Sequence, residues 1–162
     1  MQQAEVDITP LMVMSRTMNA VIVRSLADVD TTVSVPQLRV LVILSVHDRL
    51  NLSGVADRLG VNASNASRTC DQLVRLGLVD RQEDPHDRRH LSLALARPGR
   101  RLLDDVMRRR EAILAGVVAT MKPQDQRDLM AALENFNAAA YGLVPDTAPG
   151  GSPHLLARWP GR

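Results

Sequence analysis

Residues 60–95, GVNASNASRTCDQLVRLGLVDRQEDPHDRRHLSLAL, constrain the chain more than any other stretch. They read as a short helix followed by a charged β-hairpin. Asn62 suits the N-cap, its side-chain oxygen able to take a backbone N–H two or three residues on. From Ala63 to Leu76 the apolar residues Ala66, Cys70, Leu73, Val74 and Leu76 recur at roughly the helical period. The opposite face carries Ser64, Asn65, Ser67, Arg68, Gln72 and Arg75, with short hydrogen-bonding groups first and arginines after. Gly77 stands where a left-handed residue closes a helix. Leu78 and Val79 open one strand, and Leu91, Leu93 and Leu95 alternate with Ser92 and Ala94 along a second. The intervening tip, Glu83 to Arg89, is polar apart from the turn proline Pro85.

The flanks read as helices. Thr9 then Pro10 predicts a helix start, a capping residue before a proline at the first helical position. An apolar stripe follows for about twenty residues, through Met18, Val21/Ile22 and Leu26 to Val29. Ser34-Val-Pro-Gln37 fits a capping box for a second helix running to about His47. Asn51 caps a short third helix through Leu59, with Val55, Ala56 and Leu59 facing inward, and Gly60 supplies the tight turn into the helix described above. After Ala96-Arg-Pro-Gly99, Arg100 to Met121 reads as one long helix with Leu102/Leu103, Val106, Ile113, Val117 and Met121 on a stripe. At about 1.5 Å per residue it spans roughly 30 Å, more than a small domain needs for its own core. Gly116 in its middle suggests a close helix approach. Pro123 starts a last helix behind the poor cap Lys122, with Leu129, Leu133, Phe136, Ala140 and Val144 on one face. The first and last two helices have more apolar face than three short helices can cover, so packing against a second copy is the economical reading.

Leu52 to Leu59, Gly60, the capped helix and GLVDRQEDPHDRRHLSLAL together resemble the winged helix-turn-helix of the MarR family of bacterial transcription regulators. The resemblance covers residues 8 to 143. It implies a mainly α fold with a small β-hairpin wing, in which N- and C-terminal helices form a dimerisation region. The expected division is 1–33 for an N-terminal dimerisation helix and 34–97 for the winged helix-turn-helix. Residues 98–144 are the expected C-terminal dimerisation helices and 145–162 an irregular tail. By resemblance, Asn62, Ser64, Asn65, Ser67 and Arg68 are the DNA-facing residues of the recognition helix. Asparagine pairs with adenine and arginine with guanine; serine is permissive. At the hairpin tip, Arg89 enters the minor groove with Asp87 two residues earlier holding it, and Arg88 lies between them. Narrow A·T-rich grooves attract such an arginine. The expected partners are a palindromic duplex operator, a second copy of the chain, and a small aromatic or phenolic effector whose binding residues the sequence does not identify. A repressor is the expected role.

Charge agrees with a phosphate-binding surface. Residues 58–101 hold nine arginines against five acids, whereas the remainder is net acidic, within an overall formal charge of +2. The aromatics Phe136, Tyr141 and Trp159 all lie outside that basic segment, which argues for duplex rather than single-stranded targets. There is no metal-ligand spacing among His47, His86, His90 and His154, no nucleophile–base arrangement and no phosphate-cradling glycine loop, so neither a metal, a cofactor nor an enzyme is expected. No apolar run approaches 18 residues, and a cytoplasmic protein without a membrane partner is expected. Two alternatives stay open at this point. One is a thiol-oxidation-responsive regulator acting through the single cysteine, Cys70, although peroxide sensors of the family place theirs near the chain start and Cys70 falls on the inner helix face. The other is a winged-helix module that binds a protein.

Overall fold

The computed structural model describes residues 6–27, 29, 33–47, 49–83 and 91–140. In chain order these form α1 (Thr9–Ala27), α2 (Val35–Val46), β1 (Leu50–Asn51), α3 (Leu52–Leu59), α4 (Ala63–Arg75), β2 (Val79–Glu83), β3 (Leu91–Leu95), α5 (Arg97–Ala119) and α6 (Pro123–Ala140). The fold is mainly helical with one small antiparallel sheet, a winged helix.

Local signals set most element ends. Asn51 accepts the Gly54 N–H at 2.8 Å and Asn62 accepts the Asn65 N–H at 2.9 Å, so both asparagines cap the helices that follow them. Gly60 and Gly77 have φ of 66° and 68°, the left-handed region where a side chain is costly. At the end of α4 the Leu78 N–H reaches Leu73 O at 3.0 Å and the Gly77 N–H reaches Val74 O at 2.9 Å, the paired bonds of a Schellman motif. Two starts differ from expectation. Thr9 does not cap α1: its N–H is accepted by Asp7 at 2.9 Å, and bonds from the Thr9 side chain and backbone hold the Asp7 carboxyl below its ordinary pKa. A carboxylate also suits the positive end of a helix dipole. Helix α5 begins at Arg97 rather than Arg100, because Ala96, with no capping side chain, is held instead by its own N–H on Leu78 O at 3.1 Å.

The sheet order is β1-β3-β2, with Leu50 opposite Leu93 and Val79 opposite Leu95. The hairpin was expected; the third strand was not. Its two residues are too few to show an alternation, and its pairing partner lies some forty residues on.

One core joins the helices α2 to α5 and the sheet. Leu41 and Leu44 of α2, Val55 of α3, Cys70 and Leu73 of α4, Val79 and Leu93 of the sheet, and Leu103 and Val106 of α5 are buried together. Leu26 closes it from α1. Leu76, expected on the inner face of α4, is instead 46% exposed: it is the C-cap residue, one position past the last helical residue and just before the left-handed Gly77. Gly99 lets the first turn of α5 lie on the backbone of Leu78: a Cβ there would stand 2.1 Å from Leu78 O.

Away from the core the apolar stripes lose their partners. Leu11, Met12 and Val13 of α1, Val117 of α5, and Met130 and Phe136 of α6 are exposed, and no residue of α6 is buried. Gly116 has nothing within 4 Å of an added Cβ, so the close helix approach expected there is not made within the described chain. No helix among the described residues is long and apolar enough to cross a membrane.

Candidate nucleic-acid interface

Helix α4 has two unlike sides. Ala66, Cys70 and Leu73 are sealed in the core, while Ser64, Asn65 and Arg68 point outward and are exposed. The apolar residues anchor the helix and leave the polar face free, an arrangement that suits insertion into a groove. Asn62 has its side-chain oxygen committed to the cap, which leaves its amide NH2 as the remaining donor. Ser67 is half-buried and its hydroxyl donates to Asp71 Oδ2 at 3.3 Å. Of the five helix residues singled out from the sequence, Ser64, Asn65 and Arg68 are therefore the most available.

Asp71 was not anticipated. Its other oxygen receives Arg81 Nη2 of β2 at 2.5 Å, and both side chains are a little over a third exposed. The pair ties α4 to β2, the first strand of the hairpin. An acid on the polar face of α4 ten residues before an arginine in the next strand was the only available signal. Asp87, Arg88 and Arg89 lie outside the described residues.

The scaffold behind this surface is also polar at its seams. Arg39 of α2 donates to Leu59 O at 3.4 Å, at the turn before α4. Arg58 of α3 donates from Nε to His47 Nε2 at 3.0 Å and from Nη1 to Gly54 O at 3.1 Å, binding the end of α2 to α3. Gln37 of α2 donates to Gln72 Oε1 of α4 at 2.9 Å.

Cys70 is fully buried. Burial, and then the neighbouring Asp71 charge, push its pKa up to about 11. At neutral pH it is a thiol, without the thiolate that peroxide chemistry requires. Among the described residues no three His, Cys, Asp or Glu side chains gather as a metal site would need.

Comparison with known proteins places the chain. Residues 31–90, from just before α2 to just before β3, match the model of the MarR family. The crystal structure of RV1404 from Mycobacterium tuberculosis is similar over 86% of this chain and 98% of its own, with 36% identity and a TM-score of 0.76. The HTH-type transcriptional repressor MdtR of Bacillus subtilis is 30% identical over 55% of this chain, a stretch that makes up 57% of MdtR. The fold is also shared with a single-residue mutant of MepR from S. aureus bound to an oligodeoxyribonucleotide, at 20% identity and a TM-score of 0.64 over 83% of this chain and 99% of that one. With its winged helix, capped α4 and matching relatives together, this chain belongs to the MarR family of transcription regulators.

Proposed function

We propose that the protein is a homodimeric repressor that binds a palindromic duplex operator and is released by a small aromatic or phenolic effector. The observation that carries DNA binding is the α4 face itself: Ser64, Asn65 and Arg68 are exposed on a helix whose other side is locked into the core. MepR, which shares the fold, is described as bound to an oligodeoxyribonucleotide, and MdtR as a repressor; both support the reading. In this account Arg68 and Asn65 meet base edges and Ser64 and Ser67 meet bases or phosphates. Asn62 lies at the helix start, and Arg88 and Arg89, steadied by Asp87, follow the adjacent minor groove.

The dimer is supported by the exposed Leu11, Met12, Val13, Val117, Met130 and Phe136, which lie on α1, α5 and α6. In the proposed division residues 1–33 and 98–144 associate with a second copy and residues 34–97 engage DNA. The two α4 helices then enter successive major grooves about one helical turn apart. An anionic effector is supported by Arg110 of α5. Its Nε is shielded from solvent without a hydrogen-bond partner among the described residues, and burial lowers its pKa. The effector changes the spacing of the two DNA-binding lobes, a coupling typically worth about 1–3 kcal/mol.

Selection from a random duplex pool tests this. Recovery of an inverted repeat with half-sites one turn apart is expected. Failure to enrich any sequence, or enrichment of a site without two-fold symmetry, overturns the reading.

A further inference from the structure

The apolar contacts that hold α4 are non-directional; they fix its depth in the core more firmly than its rotation. A directional contact sits at its edge. Gln37 is only 7% exposed, and its amide is used on both sides. Its Oε1 accepts the Ser34 N–H at 2.7 Å, closing the first turn of α2, and its Nε2 donates to Gln72 Oε1 at 2.9 Å. Gln72 lies one helical turn beyond Arg68 on α4, so a bond to its side chain constrains the rotation and height of the face that carries Arg68 and Asn65. Among the described residues the other two buried polar side chains bond within their own helix or hairpin, Ser25 to Ile22 O and Ser92 to Gln82 O on the adjacent strand. Gln37 joins elements that are distant in sequence.

We infer that Gln37 is a positioning residue for DNA recognition: its amide couples the N-cap of α2 to Gln72 and sets the pose of the reading face of α4. The inference rests on the DNA-binding reading above. Gln37 is buried, unlike the exposed Asn65 and Arg68. Its loss therefore lowers the preference for the correct sequence while leaving phosphate-driven, non-specific binding in place.

A double-mutant cycle on the full chain tests it, using the duplex recovered by selection and a scrambled duplex as probes. Gln37→Met and Gln72→Met each remove one side of the bond with little change in volume, and Gln72→Met leaves the Ser34 bond intact. With a net hydrogen-bond contribution of about 1 kcal/mol, each single change is expected to weaken specific binding about fivefold. Scrambled-duplex binding and its salt slope are expected to stay within about twofold of the parent, since the phosphate contacts are untouched. The double variant is expected to be no weaker than the weaker single variant. Losses that multiply in the double variant, or singles that retain full preference, overturn the inference while the DNA reading stands. A parent protein with no sequence preference sinks both. If Gln37→Met weakens the fold, Gln72→Met alone decides: faster amide exchange along α4 with lost preference is expected, and unchanged preference overturns the inference.

Discussion

Two glycines in the same helix are expected to respond to alanine with opposite signs. At Gly99 an added Cβ would stand 2.1 Å from the Leu78 carbonyl oxygen and 3.0 Å from its carbon. Both are backbone atoms that no rotamer change can move, and that oxygen already accepts the Ala96 N–H. To reach an ordinary contact of at least 3.4 Å from 2.1 Å, the first turn of α5 must retreat by more than about 1 Å from the backbone it rests on. Such overpacking costs about 1–3 kcal/mol. The intrinsic helix preference of alanine over glycine offsets at most about 1 kcal/mol, and less in a first turn. A net loss of about 1–2 kcal/mol remains, or a Tm lowered by roughly 2–8 °C for a chain of this size. At Gly116 nothing lies within 4 Å of the added Cβ. There the helix preference acts alone, a gain of about 0.5–1 kcal/mol and roughly 2 °C. Thermal unfolding by circular dichroism, with all three proteins at one concentration because the proposed association of two copies would contribute, measures both. A Gly99→Ala protein as stable as the parent would refute the close approach of α5 to the Leu78 backbone.

Three further outcomes follow from the site. The raised Cys70 pKa means the folded protein holds that proton more tightly than the unfolded chain; its stabilising contribution is complete below the ordinary thiol value near 9.0 and is lost as pH rises through about 11. Ellman's reagent is therefore expected to leave the folded protein unlabelled at mildly alkaline pH, and peroxide to leave DNA binding of parent and Cys70→Ser alike; rapid labelling contradicts this. Asp71→Asn removes the partner of Arg81, a pair exposed enough that stability should fall by less than about 1 kcal/mol. DNA affinity should fall several-fold as the wing strand loses its tie to α4, and parallel small changes in both would deny the pair a role in DNA binding. Arg89→Ala at the wing should weaken binding and lower the salt slope by about 1, whereas Arg127→Ala on α6 should do neither; equal losses in a salt-controlled titration would remove Arg89 from the groove.

What the sequence makes legible here is local. Asn51, Asn62, Gly60 and Gly77 act within a few residues of themselves, and the structure uses each in the way its type suggests. The alternation of Leu91, Leu93 and Leu95 likewise needs only its own strand to be read. The elements that escaped notice depend on partners far along the chain. Strand β1 exists through β3, Asp71 matters through Arg81, Gly99 through the Leu78 carbonyl, and Gln37, legible as a capping-box residue, makes its second bond through Gln72. None leaves a periodic trace. The cap of α1 differs because a carboxylate two residues upstream of Thr9 took the role assigned to the threonine. Val117 and Phe136 lie on helical stripes yet remain exposed, since a stripe records that a face favours burial and not which molecule supplies it.

The central claim is that the outward face of α4 reads duplex DNA. Fluorescence anisotropy with the duplex immediately upstream of the protein's own gene, across a salt series, tests it most directly when parent and Arg68→Ala are compared. The account predicts sub-micromolar binding by the parent with a steep salt slope, lost on scrambling the site and weakened in the variant by about 1–3 kcal/mol, the value of a good arginine–base contact. Weak binding that ignores sequence, or an Arg68→Ala protein that discriminates as well as the parent, would contradict it.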